Sequence, residues 1–279
     1  MKTLVLTPKS ITKIPIEAEI ISPQTISGKS LEEVKELLVY QGNKRHRLTD
    51  FFTVEGEVAK NPDNSRIVIE DDVPHVKYIG AGVKTGEILI RGNAGMHTGS
   101  QMTGGKITVQ GDVSDWAGAE MSGGLLKIEG NAGHQLGSAY RGSSEGMIGG
   151  VIIVDGNAGS ETAGFMRRGM VIIGGDTGAF TGVHMNGGEI FVFGKTGIRA
   201  GAQAKGNGGF IASMGGIEEL LPTYRYDTTY SPIMMKLYLK EMTEKLGIKK
   251  ASKFKDTQYL RYRGDLAVGG NSEILVAKG

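Results

Sequence analysis

A pattern of about nineteen residues is written six times between residues 86 and 208, and a chain that repeats at such a period has few ways to fold. The copies begin at Gly86, Gly105, Gly124, Gly150, Gly169 and Gly188. Four of the five intervals are 19 residues, and the fifth, from Gly124 to Gly150, is 26. Each copy reads approximately G-x-I-x-V-x-G-N-x-G-x-x-x-G-x-x-M-x-G, as in GEILIRGNAGMHTGSQMTG and GKITVQGDVSDWAGAEMSG.

Two apolar residues separated by one open each copy: Ile88/Ile90, Ile107/Val109, Leu126/Ile128, Ile152/Val154, Val171/Ile173 and Ile190/Val192. That is the period-two alternation of a strand with one face inward. Glycine follows two residues later in every copy, and Asn or Asp follows that glycine in five of the six, which is turn chemistry. No helical spacing occurs, and a βαβ crossover needs about 30 residues or more. The expected fold is therefore all-β: a single-stranded parallel β-helix solenoid of about seven coils, three short strands to a coil, with mixed α/β capping segments at both ends. The seventh coil is RIVIEDD after Ser65, 21 residues ahead of Gly86. Met102, Met121, Met166 and Met185 recur near the end of the copy, with Tyr140 and Ala204 in the other two, and read as a column of core filler.

Glycine accounts for 45 of 279 residues, and 32 of these fall between residues 86 and 208, but not at every third position, which excludes collagen. The net charge is +2, from 32 basic and 30 acidic residues well mixed, so no nucleic-acid surface is expected. The chain has no cysteine for disulfides or Fe–S ligation. No apolar run reaches about 18 residues and no signal sequence opens the chain, so the expectation is a cytoplasmic protein without membrane contact.

Unpaired strand edges at the two ends of such a column need covering. Residues 1–64 are expected to form an N-terminal capping segment of short strands and one helix, residues 65–208 the β-helix, and residues 209–279 a capping tail with one helix and a terminal strand. Ser30 and Glu33 form a capping box for a helix carrying Leu31, Val34, Leu37 and Leu38 and stopped by Gly42. Lys44-Arg45-His46-Arg47 reads as a charged loop, and Phe51 to Val54 as strand. In the tail, Ser231-Pro232 starts a helix with Met235, Tyr238, Leu239, Met242 and Leu246 on one stripe.

Three features point to partners. The outward positions of the opening strand turn apolar in the later copies: Val151, Ile153, Met170, Ile172, Phe191 and Phe193. Such a strip must be covered, by the tail helix or by another subunit. Trp116 and Phe180 share an outward turn position with His97, Gln135, Glu161 and Arg199. Six of the nine tyrosines lie after residue 220, among them Tyr224, Tyr226 and Tyr230 beside Arg225, the residue types enriched in interface cores. On this reading Trp116→Ala, or a charge at Ile172, weakens assembly. The seven extra residues of the third copy, placed at about 143–149, read as a projecting loop.

No reaction chemistry emerges. The five histidines share no metal-ligand spacing, and there is no G-x-G-x-x-G, Walker lysine or nucleophile elbow. Asp112 and Asp176 of the turn column stand three copies apart, about 14 Å by stacking, too far to share a cation. The site expectation is no catalytic, cofactor-binding or metal residue.

The G-N-A-G block (Gly92 to Gly95, Gly130 to Gly133, Gly156 to Gly159) resembles the glycine-rich β-helix family that includes the C-terminal domain of the glutamate synthase large subunit. RLTDFFTVEG at Arg47 to Gly56 and RYRGDLAVGGNSEILV at Arg261 to Val276 are similar to the flanks of its free-standing members, the C subunits of formylmethanofuran dehydrogenase. The resemblance implies a non-catalytic scaffold in a complex that reduces CO2 and fixes it on methanofuran as formylmethanofuran, the first step of methanogenesis from CO2. It implies an amidohydrolase-like partner with a binuclear metal site, and formate dehydrogenase-like partners carrying tungsto- or molybdopterin and Fe–S clusters. The alternatives are a scaffold of a formyltransferase/hydrolase complex, a stand-alone glutamate synthase domain, or a β-helix enzyme acting alone.

Overall fold

The structure, a computed structural model, describes residues 1–9 and 14–278. The opening dyad of each copy forms a strand, and each strand lies parallel on that of the next copy. The strands are β6 (Ser65–Ile69), β8 (Glu87–Ile90), β9 (Thr103–Val109), β10 (Ser122–Ile128), β11 (Ile148–Val154), β12 (Arg168–Ile173), β13 (Glu189–Val192) and β14 (Phe210–Ser213), with β7 (Val76–Lys77) in another sheet. Their register brings like onto like: Ile67 pairs with Ile88, Ile88 with Ile107, Ile107 with Leu126, Leu126 with Ile152, Ile152 with Val171 and Val171 with Ile190. Every one of these side chains is 0–1% exposed, so branched residues at a two-residue period fill one continuous core.

The remainder of each copy is not strand. Beyond the opening strand, the copies from Ala94 onward pair through one residue each, Ala94–Val113–Ala132–Ala158–Thr177–Thr196. Between these points the backbone turns through left-handed residues, which cannot continue a ladder. The turn after the strand is locked by its Asn or Asp. Asn93 N–H donates to Asp72 Oδ1 (2.7 Å), Asp112 N–H to Asn93 Oδ1 (2.7 Å) and Asn131 N–H to Asp112 Oδ1 (2.6 Å). Asn157 N–H donates to Asn131 Oδ1 (2.9 Å), Asp176 N–H to Asn157 Oδ1 (2.7 Å) and Lys195 N–H to Asp176 Oδ1 (2.6 Å). The preceding glycine follows from this: a Cβ at Gly111 would sit 2.5 Å from Asn93 Oδ1, and one at Gly156 2.5 Å from Asn131 Oδ1. Asp112 and Asp176 of the turn column are thus acceptors for the next copy's backbone.

The expected all-β solenoid does not describe the molecule. The chain is mixed α/β, and among the described residues it forms a 13-stranded, mostly parallel sheet and a separate 4-stranded sheet. The sequence expectation over-counted strands, since positive φ at alternate residues leaves one real strand per copy. Strands from both flanks extend the large sheet. At one end β1 (Lys2–Pro8) lies parallel to β6, and β5 (Phe52–Gly56) antiparallel to β1. At the other, β17 (Ser272–Ala277) lies parallel to β14, followed by antiparallel β16 (Tyr259–Gly264) and β15 (Arg225–Tyr230).

The smaller sheet runs β4 (Lys44–Arg47), β3 (Leu38–Gln41), β2 (Ile16–Glu17), β7. The basic run is therefore an edge strand rather than a loop. Of the short helices, α1 (Pro23–Ile26) packs against β6, α2 (Leu31–Lys35) against β5, and α3 (Leu48–Phe51) against both β5 and β4. The Ser30–Glu33 box forms at the start of α2, but the helix ends at Lys35 because Leu38 onward pairs in β3.

Two further corrections concern the later copies. Met147, 26 residues after Met121 and fully buried, takes the core place given to Tyr140, so the extra residues are 140–146. The apolar strip is closed by the chain itself. Ile153, Ile172, Phe191 and Phe193 are 0–8% exposed beneath Met235, Leu239 and Met242 of α4 (Ile233–Glu244), together with Ile248, Ala251 and Tyr259. Val151 and Met170 pack on the margin of this cluster.

Phe191→Ala should cost about 3–5 kcal/mol by opening a cavity under α4, read as a lower urea midpoint. Asp112→Ala removes the acceptor of Asn131 N–H and should cost about 0.5–1.5 kcal/mol in the same assay.

Candidate functional site

The outward turn position singled out in the sequence has a structural cause. His97, Trp116, Gln135, Glu161, Phe180 and Arg199 all adopt φ between 58° and 63°. Each left-handed residue costs about 1–2 kcal/mol for a side chain other than glycine. The conformation is held by bonds between copies: His97 N–H donates to Asp115 O (3.0 Å), Trp116 N–H to His134 O (2.9 Å) and Phe180 N–H to Ile198 O (3.0 Å). Because every copy shares it, the strain belongs to the turn. What varies is the side chain it throws outward, and this choice makes a site.

In the early copies that choice is aromatic. Tyr78, at the equivalent turn of the preceding segment, stacks on His97 with centroids 4.4 Å apart and planes 7° from parallel. His97 stacks in turn on Trp116 at 5.6 Å and 16°. The extra residues of the third copy then bring Tyr140 against the stack, 5.5 Å from the His97 ring and 6.4 Å from that of Trp116. His97 Nδ1 and Tyr140 Oη share a hydrogen bond of 2.9 Å. Glu120 holds Tyr140 from the other side, its carboxylate accepting from Tyr140 N–H (3.2 Å) and from Gln101 Nε2–H (3.0 Å). A cavity of about 430 Å³ opens beside the stack, lined by Glu19, Tyr78, Ala81, Gly82, Ser100, Gln101 and Tyr140.

Burial governs the ionisation of this group. It lowers the pKa of His97, with Lys77 adding to the effect and Asp115 opposing it. It pushes the Tyr140 phenol up to about 12, and raises Tyr78, where Glu17 and Glu19 add to the rise. The network is therefore a neutral imidazole between neutral phenols, flanked by carboxylates. It holds no nucleophile–base pair, and no three His, Asp or Glu among the described residues are grouped to hold a metal ion.

The other candidate residues are dispersed. Phe180 lies under the Arg199 guanidinium, 5.4 Å from its centroid, away from Trp116. Tyr224 is a core residue, 5% exposed, donating to Gly201 O (2.9 Å). Arg261 lies over the Tyr230 ring at 6.0 Å and pairs with Asp227 (3.2 Å) and Glu273. Of the tail cluster, Arg225 and Tyr226 are exposed and Tyr230 is half-buried. Ile172 is 1% exposed, so a charge there would be a folding defect, whereas Val151 and Met170 are half-buried. Sequence reasoning missed Tyr78, Glu120, Gln101 and Glu19, and placed Tyr140 inside. The available signal was the break in period itself.

No family model matches the chain. Among curated proteins, the C subunit of the tungsten-containing formylmethanofuran dehydrogenase 2 of Methanothermobacter wolfeii is 42% identical over 100 residues, 36% of this chain and 37% of the relative. The C subunit of the molybdenum-containing formylmethanofuran dehydrogenase 1 of Methanothermobacter thermautotrophicus is 45% identical over 96 residues, 34% of this chain and 23% of the relative. The matched stretch thus spans well under half of either relative's length. Among solved structures, a chain of the formyltransferase/hydrolase complex of Methylorubrum extorquens, in complex with methylofuran, superimposes with a TM-score of 0.89. It is 27% identical, and the match covers 99% of this chain and 100% of that one. The resemblance to the C subunits of formylmethanofuran dehydrogenase is borne out by these relatives.

Trp116, the sole tryptophan, reports on this site. Since His97 binds its proton less readily when folded than at the usual ~6.5, the unfolded chain holds more protons just below that pH. Its contribution to stability is complete above ~6.5 and is lost as the pH falls from there towards the folded value. Trp116 emission should change with a midpoint below ~6.5, and His97→Gln should abolish both the emission change and that part of the acid destabilisation.

Proposed function

We propose that this chain is the C subunit of a formylmethanofuran dehydrogenase complex, a non-catalytic scaffold for the subunits that reduce CO2 and fix it on methanofuran as formylmethanofuran. The observation that carries this reading is the 42–45% identity to C subunits of tungsten and molybdenum enzymes of that name. Likeness to a chain of another multi-subunit complex over 99% of the length supports a role inside an assembly. In this reading residues 65–208 are the body of the scaffold, residues 1–64 and 209–279 close its ends, and the complex works in the cytoplasm. Among the described residues no helix is long and apolar enough to cross a membrane.

The groups expected in the complex do not fit on this chain. Fe–S clusters need thiolates, and the chain has no cysteine. A binuclear metal site needs grouped His and carboxylate ligands, which the described residues do not provide. We assign the pterin, the clusters and the binuclear site to formate dehydrogenase-like and amidohydrolase-like partners. The contribution of this chain is a rigid face against which they are held.

The Methylorubrum neighbour favours one second reading, a scaffold in a formyltransferase/hydrolase assembly. Affinity purification of the tagged chain from its native cells separates the two. Recovery with a pterin- and Fe–S-containing oxidoreductase that forms formylmethanofuran is the expected outcome. Recovery with a formyltransferase lacking pterin selects the second reading, and recovery alone, with turnover, rejects both.

A further inference from the structure

We propose that the cavity between Tyr78 and Tyr140 receives an arginine side chain from a partner polypeptide. The inference rests on the scaffold reading for the source of that side chain, and on the geometry of this site for its chemistry.

The cavity has aromatic walls and an acidic rim. Tyr78 is stacked on His97 by one face, and Tyr140 is fixed at both ends, by His97 at the hydroxyl and by Glu120 at the backbone. Both rings line the opening, where a planar cation is attracted by the ring quadrupole. Glu19 stands at the rim, and Glu17 and Glu19 both act on Tyr78. Glu120 receives only the neutral donors Tyr140 N–H and Gln101 Nε2–H, which orient its charge without cancelling it. Among the described residues no ion pair involves Glu17, Glu19 or Glu120. Lys77, in register with Glu17 on β2, acts on His97. Glu19 lines the cavity, Glu120 and Glu19 both act on Tyr140, and Glu17 lines the adjoining hollow, so carboxylates surround the two tyrosines.

These walls choose among cations. A divalent metal needs several oxygens in one shell, and no such group exists among the described residues. A guanidinium is planar, weakly hydrated, stacks on aromatic faces and offers five donors in a fixed fork. The surface beside the cavity makes the ligand part of a polypeptide. A second hollow shares Glu19 with the first and is lined by Glu17, Ile20, Leu38 and Tyr40, with Leu38 and Tyr40 44% and 43% exposed. Arg45 lies over the Tyr40 ring at 5.7 Å and repels a second cation there. The surface therefore reads one basic residue at Glu19 and an apolar neighbour on the Leu38–Tyr40 ledge, the pairing of arginine with apolar contact common in interface hot spots.

The test titrates the isolated full-length chain with N-acetyl-arginine amide and with its neutral isostere N-acetyl-citrulline amide, following Trp116 emission. The expected result is a saturable change with the arginine compound, about tenfold weaker with citrulline and again about tenfold weaker with arginine in Glu19→Gln/Glu120→Gln. Tyr78→Leu should weaken it as well. Circular dichroism confirms that each variant is folded, and the single variant Glu19→Gln, altered only at the rim, serves if the double variant is not. Equal responses to the two compounds, an unchanged response in the folded carboxamide variants, or no saturable change up to roughly 50 mM overturns the proposal. The scaffold reading fails separately: a chain recovered alone from cells yet selective for arginine loses its assembly role, and an assembled complex without arginine selectivity loses only the pocket.

Discussion

The Asn or Asp side chain of one copy accepting the backbone N–H of the next is the interaction on which the rest of the structure depends. It repeats at Asp72, Asn93, Asp112, Asn131, Asn157 and Asp176, and each oxygen occupies the space a Cβ of the following glycine would need. Glycine and its Asn or Asp neighbour are therefore two halves of one device. Each bond contributes about 0.5–1.5 kcal/mol net. Their larger effect is on register: with the turn pinned, the two inward positions of every strand fall on the same positions of its neighbours, and the branched core follows.

A frame that forces every copy to turn alike leaves diversity only where side chains point out or where the period fails. Both conditions meet around Trp116. The left-handed turn projects Tyr78, His97 and Trp116 into one stack, and the seven-residue excess between Met121 and Met147 supplies Tyr140 to cross it. The same excess brings the Tyr140 backbone to Glu120, joining two outward columns into one hydrogen-bonded group. An aromatic cluster on a repetitive body arises here by interruption, with backbone supplied by the regular copies on either side.

The later copies solve a different problem. Their strands are apolar on both faces, and α4 with the segment after it closes the outer one through Met235, Leu239, Met242 and Phe254. Phe191, Phe210 and Tyr238 meet edge-on there, and Tyr238 Oη donates to Glu189 Oε1 (3.1 Å). Burial raises the pKa of that carboxyl. The tail thus completes a second core of the molecule with Ile153, Ile172, Phe191 and Phe193 of the strip.

Sequence by itself determined what is local and periodic: which residues face inward, where each turn falls, the Ser30–Glu33 box, and the matching of Ile88, Ile107 and Leu126 from copy to copy. Period-two alternation and turn chemistry act through dihedral preferences of a few neighbouring residues, so they can be read without coordinates. Tertiary structure alone decided that the chain is mixed α/β, that Leu38 ends a helix by pairing in β3, that Met147 displaces Tyr140 from the core, and that α4 covers Phe191. Each of these is a choice between surfaces distant in the chain, and an apolar or aromatic residue carries no mark of which distant surface it will meet.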